Sequence, residues 1–141
     1  MEIVNCPISE NAVRSADAVA LINNDQSWTY QELDAAIQNL CSFLKHLGIK
    51  ENHRVAFIAT STPETICLFF ALFRLGAIAC PLSSRIPQEQ VSKHLDLLKP
   101  SYVLETAKLN IDTTFRHCTT SSNLNFGFLS SESAEIFDEI L

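Results

Sequence analysis

The sequence predicts an α/β fold in which a mainly parallel sheet is flanked by helices. Three observations predict it. Short β-rich apolar segments alternate with longer segments of helical period. Two of the longer segments open on recognisable caps and close on a glycine. The 141 residues, 47% apolar and 18% charged, suit a single domain with a packed core.

Taken in order, Ser9 to Ala16 reads as a short helix, and Ala18 to Asn23 (AVALIN) as a buried strand. The Asn-Asn-Asp-Gln that follows is turn-forming, because Asn and Asp tolerate turn conformations. Ser27-Trp28 then starts a second strand and completes a small hairpin. Thr29-Tyr30-Gln31-Glu32 matches a capping box, in which a hydroxyl and a carboxylate satisfy each other's orphan amides. Leu33, Ile37, Leu40, Cys41, Leu44 and Leu47 recur at helical spacing behind it, and Gly48 stands where a left-handed residue ends a helix. A helix over 30–47 follows.

Arg54 to Ala59 (RVAFIA) has the length and composition of a parallel strand. Ser61-Thr62-Pro63-Glu64 begins the next helix, with a hydroxyl cap, proline at the first position and an acid at the positive end of the dipole. That helix runs to about Leu75 and Gly76 stops it. Ala77 to Leu82 (AIACPL) is the next strand, with Pro81 near its end. A third amphipathic segment starts near Pro87, carries Val91, Leu95 and Leu98 on one face, and closes at Pro100. Ser101 to Glu105 (SYVLE) is the last strand. The order implies right-handed crossovers between parallel strands. From Thr106 the text turns polar and loses its period. It reads as loop with weak strands near 114–118 and 126–129, and a helix starting in 133–141. The expected division is thus an α/β body over 1–105 and a distinct segment over 106–141.

Composition excludes several function classes. The net charge of −6 opposes nonspecific nucleic-acid binding, which needs a basic surface. The opening MEIVNCPISENAV lacks the basic and apolar regions of a secretory signal, so a cytoplasmic location is expected. Ile66 to Leu82 is apolar apart from Arg74, but Gly76 and Pro81 interrupt it, and a central arginine is costly in lipid. It reads as buried helix, glycine stop and buried strand, with Arg74 as a charge at the helix C-terminus. Cys6, Cys41, Cys67, Cys80 and Cys118 form no C-x-x-C and mostly sit in apolar runs, as structural thiols do. His46, His53, His94 and His117 show no metal-ligand spacing. With only Gly48, Gly76 and Gly127, neither common glycine-rich phosphate cradle can be written.

The ordered set WTYQEL, a helix ending LGI, and HRVAFIATSTPETICLFFALFRLGAIACPLSSRIPQEQV resembles the N-terminal region of acyl-adenylate-forming enzymes. These are the acyl-CoA synthetases, the adenylation domains of peptide synthetases and the luciferases. Thr29-Tyr30-Gln31-Glu32-Leu33 matches the T-Y-x-E-L opening. Arg54-Val55-Ala56 matches the D-R-V-A strand, with His53 in the aspartate's place. Pro63-Glu64 matches the N-S-P-E helix start, with Ser61-Thr62 for Asn-Ser. Arg74 to Leu82 matches R/K-x-G-A…P-L. The resemblance spans roughly residues 8 to 105. The compact PL-x-x-R-I segment is similar to that of small CoA ligases, with o-succinylbenzoate–CoA ligase of menaquinone synthesis as one candidate.

This resemblance implies a truncated N-terminal subdomain of the adenylate-forming ligase fold. In the parent enzyme a carboxylate attacks the α-phosphate of Mg-ATP, and CoA then displaces AMP. The Ser/Thr/Gly-rich phosphate loop, the acid that holds Mg²⁺ and the late catalytic lysine of the family lie beyond residue 141. This chain therefore supplies no catalytic residue and no metal ligand. It offers one candidate cofactor residue, Arg85, which matches the family's P-L-x-x-R arginine and is expected to reach a phosphate of CoA. The bland alternative is a solvated arginine that caps the preceding helix or pairs with Glu89. Thr29, Tyr30 and Glu32 read as capping and packing residues. Trp28, Phe69, Phe70 and Phe73 read as packing residues, and Ser83 and Ser84 as candidates for a pocket mouth. Asp34, Glu89 and Asp96 read as solvent-facing carboxylates. Two other functions compete with the ligase fragment: a standalone α/β binding module, and a regulatory relic without catalysis.

Lacking the phosphate loop, the 141-residue chain is expected to bind ATP too weakly for calorimetry to detect. Micromolar affinity would overturn that expectation.

Overall fold

The computed structural model describes residues 5–104, and the expectations placed on 106–141 lie outside them. Helix α1 (Pro7–Arg14) is followed by strands β1 (Val19–Asn23) and β2 (Gln26–Thr29). The rest alternates: α2 (Tyr30–His46), β3 (Arg54–Ala59), α3 (Pro63–Leu75), β4 (Ile78–Ser83), α4 (Gln88–Leu98) and β5 (Tyr102–Leu104). Helix α1 starts two residues before its expected position because Pro7 takes the first helical place, where its missing N–H has no cost.

The local signals act as their chemistry requires. The Glu32 amide donates to Thr29 Oγ1 at 3.2 Å and the Thr29 amide donates to Glu32 Oε2 at 2.8 Å, so the capping box closes. The amides of Tyr30 and Gln31 donate to the carbonyls of Ala18 and Ala16. The exposed donors at the start of α2 are thereby satisfied by the segment before β1. At α3 the Thr65 amide donates to Thr62 Oγ1, Pro63 takes the first position, and Gly76 ends the helix at φ +69°.

Strands β3, β4 and β5 form a parallel sheet in the order β4-β3-β5, with Arg54 beside Ile78 and Val55 beside Tyr102. The hairpin β1-β2 is a separate antiparallel pair. On one side of the sheet, Val55, Phe57 and Leu104 join a core that includes Leu33, Ile37 and Leu44 of α2 and Leu68, Ala71 and Leu72 of α3. On the other side, Ala56, Cys80, Leu82 and Val103 meet Val91 and Leu95 of α4. Both faces of the sheet are covered, as parallel sheets require.

The segments that enter the three parallel strands share a backbone feature. Gly48 (φ +95°) and Asn52 (φ +67°) precede β3, Gly76 precedes β4, and Lys99 (φ +47°) precedes β5. Every left-handed residue between α2 and β5 thus lies at the N-terminal edge of the sheet. The turns leaving β3 and β4 contain none.

Two expectations are corrected here. Strand β1 is not buried: Val19 is 54% and Ile22 70% exposed. Its hairpin stands apart from the main sheet, and the register irregularity between Val19 and Leu21 lets the successive Ala20 and Leu21 both pack against the core. The phenylalanines of α3 also divide. Phe70 packs against the core, whereas Phe69 and Phe73 remain 38% and 45% exposed. Helix α3 buries Leu68, Ala71 and Leu72 between α2 and the sheet, and positions 69 and 73, four residues apart, form the adjacent row on its surface. Phe69 still reaches the sheet, with its ring edge-on to Phe57 at a 5.3 Å centroid separation. Trp28, at 5% exposure, packs as expected.

A Cβ at position 76 would lie 3.0 Å from the Glu51 Cγ, on a backbone that L side chains disfavour. Gly76→Ala is expected to lower stability by about 1–2 kcal/mol, mainly through the left-handed backbone. Urea unfolding followed by circular dichroism measures it.

Candidate functional site

In open parallel sheets, ligands meet the protein beyond the carboxyl ends of the strands. Here that edge is built by the turns after β3 and β4, which run side by side because Ala59 pairs with Ser83. The turn after β4 is held tightly. The Arg85 amide donates to Ser83 Oγ at 3.2 Å and the Ile86 amide donates to the Ser83 carbonyl at 3.2 Å. Ser83 thus spends its hydroxyl oxygen on the backbone, while Ser84 and Arg85 are exposed. Among the described residues no ion pair joins Arg85 to Glu89, and the Arg85 side chain is solvated.

The turn after β3 carries a hydroxyl cluster. Thr60, Thr62 and Thr65 approach one another through their Oγ1 atoms at 3.0, 3.1 and 3.2 Å, and the Thr60 amide donates to Thr65 Oγ1. Thr65 is the buried polar residue of α3 at 5% exposure, and its hydroxyl is satisfied within the cluster. An open cleft of about 320 Å³ runs beside this turn, lined by Leu21, Ile22, Thr60, Thr62, Pro63 and Ile66. Sequence reading assigned Thr62 to a cap but missed the cluster. Its signal was a threonine three residues after the cap, since i and i+3 are neighbours on a helix.

Asp34 departs from its expected place. It does not face solvent alone. Arg74 Nη2 meets Asp34 Oδ1 at 2.6 Å, the Ser9 hydroxyl donates to the same oxygen at 3.0 Å, and Gln38 Nε2 donates to Oδ2 at 3.3 Å. The side chains of Asp34 and Arg74 are only 17% and 15% exposed. Arg74 Nε also donates to Cys6 Sγ at 3.2 Å. One guanidinium therefore ties α1, α2 and α3 together, in addition to sitting in the last turn of α3. Burial works against its charge, and Cys6 and Asp34 more than offset that cost. Asp96 and Glu89 are exposed, as expected.

The thiols follow their surroundings. Burial pushes Cys6 up, but the Ser9 amide, the Arg74 guanidinium and the Ile8 amide together hold it below the ordinary thiol range. Burial pushes the Cys41 thiol up. Cys67, on the buried face of α3, is pushed up to about 12 by burial, with Glu64 adding to the effect. Cys118 lies outside the described residues. Among the described residues no three side chains of metal-ligating type converge, and no helix is long and apolar enough to cross a membrane. The arrangement offers a guanidinium and hydroxyls to a ligand, and no nucleophile–base pair is formed among the described residues.

Two outcomes follow from these contacts. A double-mutant cycle on Asp34→Asn and Arg74→Met, read by urea unfolding, is expected to give a coupling energy of about 1–3 kcal/mol; additivity within error would remove the three-helix tie. For Cys67, the folded chain keeps its proton well above the pH at which an unfolded thiol, with a value of about 8.5, loses it. Stability is therefore untouched below that value and falls as pH rises from there towards about 12. Cys67→Ala should lose less stability than the parent between about pH 8 and about pH 10, a comparison of unfolding midpoints.

Comparison with known proteins places these features in a family. The sequence profile of the AMP-binding enzymes matches residues 8–135. Malpibaldin synthetase of Mortierella alpina is 26% identical over 90% of this chain and 2% of its own length. 2-Succinylbenzoate–CoA ligase of Bacillus cereus is 26% identical over 68% of this chain and 20% of its own. The N-terminal subdomain of Klebsiella oxytoca NpsA, solved with 3-hydroxyanthranilyl-AMSN, superposes with a TM-score of 0.68 at 27% identity, covering 87% of this chain and 33% of that one. The chain thus spans a fifth or less of these curated relatives and a third of the solved subdomain. The capping box, the Pro63-Glu64 helix start, the Gly76 stop and the parallel β3-β4 pair are where the sequence motifs placed them, and with the profile match they identify the chain as a member of the AMP-binding, adenylate-forming enzyme family.

Proposed function

We propose that this chain forms the N-terminal α/β part of an ATP-dependent carboxylate–CoA ligase of the cytoplasm, with the chain up to residue 105 as its first α/β body. The observation that carries this reading is Arg85. It lies beyond the carboxyl end of β4, in a turn fixed by Ser83, exposed and with no carboxylate paired to it among the described residues. A planar, permanently charged donor in that position suits a phosphate of CoA. The compact Pro81-Leu82-Ser83-Ser84-Arg85-Ile86 segment and the likeness to 2-succinylbenzoate–CoA ligase support the same reading, and an o-succinylbenzoate-type acid is the narrower candidate substrate. ATP and Mg²⁺ belong to the parent enzyme. Among the described residues no three acidic, histidine or cysteine side chains converge.

A second reading has its own support. A hybrid PKS-NRPS synthetase of Penicillium citrinum is 34% identical over 56% of this chain, which favours an adenylation domain of a peptide synthetase. In that reading the thiol that displaces AMP is not CoA, and a CoA phosphate has no role.

The arginine separates the two. In the complete enzyme, Arg85→Ala is expected to raise the KM for CoA roughly tenfold, the equivalent of one charge-assisted hydrogen bond of about 1.5 kcal/mol or more. Carboxylate-dependent pyrophosphate exchange, which reports the first half-reaction, should stay unchanged. An unchanged KM for CoA would sink the assignment of Arg85.

A further inference from the structure

We draw no further inference here: the strongest candidate, the exposed apolar row of Phe69 and Phe73 on the surface of α3, carries nothing because nothing in the structure shows what covers it.

Discussion

Val55, Ala56 and Phe57 of β3 are fully buried, one after another, and the other elements are arranged to keep them so. Successive strand residues point to opposite faces, so three buried in a row demand cover on both sides. Helices α2 and α3 supply it on the side of Val55 and Phe57, and α4 on the side of Ala56. The same strand supplies the pairing edge for β4 and for β5. A side chain the size of Val55 or Phe57 withdrawn from water contributes about 1.5–3 kcal/mol. Beside that, the surface contacts of the chain are small.

The central strand also sets where chemistry can happen. With both of its faces filled, only its ends are left open. The carboxyl end delivers Thr60 and Thr62 from β3 and Ser83 to Arg85 from β4 into adjacent turns. Behind that edge, Asp34, Arg74 and Cys6 fix α1, α2 and α3 against one another. The interaction is three-way, and both oxygens of the partly buried Asp34 carboxylate are engaged: Arg74 and Ser9 share Oδ1, and Gln38 takes Oδ2. A structural role for Arg74 and an exposed one for Arg85 follow from their surroundings, although both are arginines within one apolar stretch.

Much of this was legible in the sequence, for reasons that are local. A capping box, a proline at a first helical position and a glycine after a last one act through atoms two to four residues away, and each of those signals fixed an element end within two residues. Strand β3 was legible because its composition alone demands burial. The larger failures are tertiary. Nothing in the period of α3 says which apolar row faces the sheet, so Phe69 and Phe73 read as core until α2 and β3 claimed the neighbouring row. Asp34 looked like a surface acid because its partner Arg74 is forty residues away. The exposure of β1 depended on whether the hairpin joined the parallel sheet, a question of assembly rather than of the strand's own residues. Arg85 was legible as a candidate from its motif and its place after a strand, but its freedom from Glu89 only from coordinates.

The left-handed residues before β3, β4 and β5 divide the molecule by how freely it can vary. Gly48, Asn52, Gly76 and Lys99 hold conformations that most side chains enter at a cost, and they all lie along one edge. That edge is constrained residue by residue, and drift there is penalised whatever the protein binds. The opposite edge asks nothing unusual of its backbone. Its side chains are open to exchange without remaking the turns that carry them. A fold divided in this way can keep its frame while relatives come to accept different acids.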